Sequence, residues 1–214
     1  TSVQDPRYHT VAYEYDRGNV SYQRDDAGNV IERTFTDANQ IETETVYLVA
    51  DPDGDGAGQP ADPQTTRYVY YPSGYLAYVL DAEGGVTRNE WNASNGNLVR
   101  TTKYTGQKYD LSGLGQTDVP SVGALDNWAN GLSDKSQAIR TDYLYDFRGQ
   151  VSSTTRYEEL DSQGNGVSGS EITTHYVYDQ AGRLLKQVDA RGSSATDEQY
   201  AVHYTYDGMG RLLT

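Results

Sequence analysis

The chain has 214 residues, a formal net charge of −14 and a pI near 4.5. Leu, Ile, Val and Phe make up only about 17% of it, a composition typical of chains too polar to fold, yet it also holds 20 Tyr and 22 Gly, so any core is expected to be built from tyrosine. The acidic balance speaks against nucleic acid and disfavours anionic membranes as partners, the lack of Cys removes disulfides and thiolate chemistry, and no run reaches the roughly 18 apolar residues of a membrane span.

In chain order, the first readable element is Tyr13-Glu-Tyr15-Asp16-Arg-Gly18. Tyrosines two apart share one face of a strand, and Asp followed by Gly marks a tight reversal. A simpler reversal of the form D-x-x-G runs from Asp25 to Gly28, and Phe35-Thr-Asp37-Ala-Asn39 reads as a degenerate copy of the first. Residues 51–66 form an acidic insertion. Its Asp51, Asp53, Asp55 and Gly56 match the opening of a calcium loop, in which alternating carboxylates converge on one ion, and Asp62 falls at the twelfth position. These four aspartates are the candidate metal ligands and calcium the one candidate cofactor; the alternative is a solvated loop at a hairpin tip.

Tyr68-Val-Tyr70-Tyr71-Pro-Ser-Gly74, Asp81 to Gly84 and Trp91-Asn-Ala-Ser-Asn95-Gly96 continue the alternation of the two reversals. A second insertion, 107–139, carries Val122, Leu125, Trp128, Ala129 and Leu132 on one helical face behind Ser121, a candidate N-cap. The spacing predicts a short helix near 121–132 that packs on the sheet. Three strong copies follow: Tyr143-Leu-Tyr145-Asp146-Phe-Arg-Gly149, Tyr176-Val-Tyr178-Asp179-Gln-Ala-Gly182 and Tyr204-Thr-Tyr206-Asp207-Gly-Met-Gly210, with D-x-x-G reversals at Asp161 to Gly164 and Asp189 to Gly192. Ten residues separate Gly18 from Gly28, Gly74 from Gly84 and Gly182 from Gly192, leaving strands of about six residues. The fold class is therefore all-β, an antiparallel meander, read as a single array over 1–214. It stops in mid-pattern, as a piece of a longer chain would.

The string Y-x-Y-D-x-x-G-x-L resembles the YD repeat of the rearrangement hot spot (Rhs) family, similar across bacterial polymorphic toxins, the cocoon subunits of Tc toxins and the teneurins. The resemblance implies hairpins that form part of a spiral β-shell, in a secreted or cell-surface bacterial protein. Its partners would be neighbouring repeats and an enclosed toxin or effector cargo, and an isolated array is expected to self-associate through its strand edges. The alternative is a calcium-dependent module binding carbohydrate or cell surfaces, with tyrosines stacking on glycans.

Enzymatic chemistry has little support. His175 and His203 each precede the first Tyr of a repeat, which makes them repeat positions, and His9 stands alone. No Ser-His-Asp set, nucleophile elbow, phosphate loop or H-x-x-x-H pair is present. Asp51-Pro52-Asp53-Gly54 resembles one of the two D-P-x-G strings of a self-cleaving aspartyl region, but no second string follows.

Overall fold

The computed structural model describes residues 2–4, 10–54 and 59–213. By chain contacts it divides into two compact units, one of Thr1–Arg88 with Gln107–Gly131, the other of Asn89–Gly106 with Leu132–Thr214.

The first unit contains β1 (Ser2–Gln4), β2 (Thr10–Asp16), β3 (Asn19–Arg24), β4 (Val30–Phe35), β5 (Ile41–Val49), β6 (Ala61–Tyr70), β7 (Leu76–Leu80), the first half of the boundary strand β8 (Val86–Trp91) and one helix, α1 (Val122–Gly131). Each strand pairs antiparallel with the next. The second unit continues with β9 (Leu98–Tyr104), β10 (Ile139–Tyr145), β11 (Val151–Tyr157), β12 (Glu171–Tyr178), β13 (Leu184–Val188) and β14 (Ala201–His203), again antiparallel in chain order. The meander read from the alternating reversals is the observed architecture.

One boundary differs from the sequence reading. The acidic insertion is shorter than 51–66, because pairing with β5 already begins at Val49 opposite Ala61. From there β6 alternates, with Thr65, Arg67 and Val69 buried. The helix is Val122–Gly131, with Ser121 Oγ accepting from Ala124 N at 3.1 Å as its cap. Its Leu125 and Ala129 are buried and it packs on β7, while Trp128 meets Tyr109 edge to face at 6.0 Å.

The core is not a tyrosine core. In the first unit it consists of Val30, Val69, Ala77, Tyr78, Leu80, Val86, Leu125 and Ala129. The paired tyrosines are half-buried, and Tyr15 is 54% exposed. Strand alternation explains the difference. Val69 lies between Tyr68 and Tyr70, faces the other way and stands opposite Tyr78, so α1 covers the face that the tyrosine pairs do not occupy.

Candidate functional site

The recurring unit is the hairpin built on Tyr, Asp and Gly. At Asp146 the backbone N–H donates to Gln150 O (2.8 Å) and Gly149 N–H donates back to Asp146 O (3.0 Å), with Gly149 at φ 82°. This is a type I turn followed by a left-handed residue, which leaves a bulge in the returning strand. Accordingly the register slips between Leu144 and Tyr145, with Ser152 skipped. The same slip occurs at Val177/Tyr178, Val69/Tyr70, Thr34/Phe35 and Glu14/Tyr15. Asp146 Oδ1 accepts from Arg148 N and Gln150 N at 2.8 and 3.0 Å; Asp179 and Asp207 repeat the arrangement at their own turns. Backbone hydrogen bonds, from Gln150, Arg183 and Arg211 respectively, hold these three carboxyls below the usual range. The upstream copy, one residue short, closes instead with both Arg17 and Gly18 at positive φ (49° and 89°), as a two-residue turn requires.

In four of the units the second tyrosine joins the unit to the preceding hairpin. Tyr70 Oη donates to Ile41 O (2.8 Å), Tyr145 to Leu98 O (2.8 Å), Tyr178 to Val151 O (3.0 Å) and Tyr206 to Leu184 O (2.9 Å). Each acceptor opens the returning strand of the hairpin before, the position of the final Leu in Y-x-Y-D-x-x-G-x-L. The physical reason lies in the bulge. It takes a residue out of the ladder, and the strands meeting here are not joined by a turn at this end, so the hydroxyl closes a seam the backbone leaves open. Gln40 and Gln150 add a second link by donating to Gly74 O and Gly182 O of the next turn, both at 2.9 Å. The motif shows the tyrosines but carries no sign of their acceptors. Tyr178→Phe is expected to lower stability by about 1 kcal/mol and Tyr176→Phe by clearly less, because the Tyr176 hydroxyl reaches only Thr154 at 3.5 Å; equal losses in urea denaturation would remove the link.

The D-x-x-G turns do a different job. Asp51 N donates to Gly28 O and Tyr109 N to Gly84 O, both at 2.8 Å, and Lys135 N donates to Ser162 O at 2.9 Å. Loops outside the strands thus dock on these turns. In the first unit the docked loop also caps a buried cation. Arg67, 5% exposed, donates to Asp118 O (2.8 Å), Gly115 O (2.9 Å) and Thr65 O (3.2 Å), and burial lowers its pKa.

The most strongly held charge lies in the second unit. Asp142 stands opposite Arg100 on β9 and Thr155 on β11. Its carboxylate accepts from Arg100 Nε (2.7 Å), Arg140 Nε (2.9 Å) and Nη2 (2.6 Å), and Tyr157 Oη (3.1 Å). Burial works to raise this carboxyl, but the hydrogen bonds and charges of Arg140 and Arg100 outweigh it and hold it at about 2. The sequence reading missed the cluster; its only trace is Arg140 and Asp142 two apart on one strand.

The acidic loop does not assemble as a cage among the described residues. Asp51 is buried, accepts from Gly54 N at 2.8 Å and lies 4.0 Å from Arg24 Nε. Asp53 and Asp62 are exposed, and Asp55 lies outside the described residues. Among the described residues no three acidic or histidine side chains are grouped as a metal ion would need. His203 pairs with Glu198 at 2.8 Å and His175 is half-buried in β12; His9 lies outside the described residues. Among those residues no helix is long and apolar enough to cross a membrane.

No curated protein matches the chain. Among solved structures it is similar to the crystal structure of TcdB2-TccC3-TEV, with 14% identity over 95% of this chain and 11% of that one at a TM-score of 0.43. It is similar also to TcdB2-TccC3 without its hypervariable C-terminal region (15%, 99% and 11%, 0.42) and to the Photorhabdus luminescens Tc holotoxin pore (16%, 95% and 10%, 0.47). The chain spans about a tenth of the length of these chains. Residues 178–214 match the family described as RHS Repeat; this segment holds Tyr178, Asp179, Gly182, Tyr204, Tyr206, Asp207 and Gly210, whose hairpin geometry recurs upstream at Asp146. Residues 178–214 thus carry an RHS Repeat by that match, and the same turn geometry recurs upstream at Asp146.

Proposed function

We propose that the chain is a wall segment of an Rhs/YD-repeat shell, structural rather than catalytic, whose parent encloses a toxin or effector domain and is secreted or displayed at the cell surface. The observation that carries this reading is the hydroxyl link from each Tyr to the hairpin before it. It makes these four units neighbour-dependent building blocks, and such blocks suit an extended wall. The turn aspartates spend their charge on their own backbones, so their regularity calls for no active site.

Limited proteolysis of the full-length parent in increasing urea tests the proposal. A domain outside the repeats should stay uncut until the sheet unfolds. Cleavage of every such domain in the absence of urea would overturn it, and calcium-dependent binding of this chain to a glycan array would favour the surface-binding alternative instead.

A further inference from the structure

The first unit repeats the Asp142 register without an arginine at either of the two corresponding positions. Around Asp142 the register runs Asp142–Thr155–Thr173, with Tyr157 two residues beyond Thr155; Thr155 and Thr173 share a hydroxyl hydrogen bond of 2.9 Å, and Tyr157 donates to the carboxylate. Around Glu32 the register runs Glu32–Thr45–Thr65, with Tyr47 two residues beyond Thr45. Thr45 and Thr65 share a hydroxyl hydrogen bond of 2.8 Å, and Tyr47 donates to Glu32 Oε2 at 2.6 Å. Burial first, then the Glu32 carboxylate, pushes the Tyr47 phenol up to about 12, so it remains a donor. The two sites part company at the guanidiniums. Where Arg100 stands opposite Asp142, Tyr22 stands opposite Glu32, and where Arg140 lies two residues before Asp142, Val30 lies two residues before Glu32.

An open cavity of about 240 Å³ occupies this place, lined by Glu14, Tyr22, Glu32, Thr45, Gln116 and Arg33 among others, the Arg33 guanidinium being taken up by Glu44 at 2.7 Å. Among the described residues the Glu14 carboxylate and the Tyr22 hydroxyl have no hydrogen-bond partner, although Glu14 stands opposite Tyr22 in the register. The cavity is smaller than a typical drug-sized site. Two carboxylates beside hydroxyl oxygens repel anions and offer too few charged ligands for a tightly held divalent ion; a planar fork of N–H donors meets them well.

We propose that this cavity binds a guanidinium group, presented by an arginine side chain of another polypeptide segment, in the place that Arg100 and Arg140 fill in the second unit. Binding is read by NMR and calorimetry on the 214-residue chain, with N-acetyl-arginine amide as probe and the blocked citrulline analogue as its neutral counterpart. The expected result is saturable binding of the arginine probe, none of citrulline, and roughly tenfold weaker binding in Glu32→Gln, the loss of one charge-assisted hydrogen bond. Tyr22→Arg supplies the missing cation from within, so it should abolish probe binding and raise the melting temperature, and it serves should Glu32→Gln fail to fold. Equal response to arginine and citrulline would overturn the proposal, as would undiminished arginine binding in a folded Tyr22→Arg chain.

Discussion

Gly84→Ala is expected to cost about 3 kcal/mol, whereas Gly74→Ala costs about 1 kcal/mol, although both glycines end a turn at nearly the same φ. At φ values of 85° and 86°, each substitution carries the left-handed penalty of a residue with a Cβ. Around Gly74 nothing lies within 4 Å of an added Cβ, so the penalty ends there. At Gly84 the Cβ would sit 2.3 Å from Tyr109 O, the backbone of the loop whose N–H docks on the same turn, and overpacking against a backbone adds about 2 kcal/mol. For a chain of this length the two changes correspond to melting-point losses of about 3 and 10 °C. Gly28→Ala should resemble Gly84→Ala, since its Cβ would meet Asp51 C at 2.4 Å. Thermal and urea unfolding of the variants measures this; similar losses at Gly74 and Gly84 would show that the docked loop yields freely.

Asp142→Asn should be about as damaging, at roughly 3 kcal/mol, because it leaves the partly buried guanidiniums of Arg100 and Arg140 around a neutral group. The acid limb of the stability curve gives a second signature. With a folded pKa of about 2 against the ordinary aspartate value of 3.8, the carboxylate contributes about 2 kcal/mol. That contribution is complete above about pH 4 and is lost as the pH falls through about 2. Native chains should therefore lose stability steeply across this interval while the Asn variant, already without the charge, loses less. Parallel acid limbs for the two proteins would contradict the assignment. The side chain is 22% exposed, so these magnitudes already sit below those of a fully buried pair.

These two sites differ in how far the sequence announces them. Gly84 belongs to a D-x-x-G string that is visible by inspection, and its turn forms as read. What the string does not say is that Gly28 and Gly84 are pressed against a second backbone while Gly18, Gly74 and Gly149 have nothing within 4 Å of an added Cβ. Asp142 and Glu32 sit in strands whose local pattern is merely alternating. Their partners Arg100, Tyr157, Thr45 and Tyr47 lie on other strands, and register alone brings them together.

The sequence by itself determined the hairpins, their order and the short helix, because these depend on contacts within a few residues. Asp accepts from the N–H groups two and four positions ahead, Gly supplies the positive φ, and a 3.6-residue spacing buries Leu125 and Ala129. It misled about the core, since counting tyrosines cannot tell which face of a strand a second layer will cover. Only the tertiary structure decided that α1 covers the face of Val69 and Tyr78, that Tyr70, Tyr145, Tyr178 and Tyr206 each bond a carbonyl of the previous hairpin, and that one carboxylate holds two arginines while its counterpart faces a cavity. Each of these joins groups from separate strands, so register and loop docking, not local preference, set the outcome.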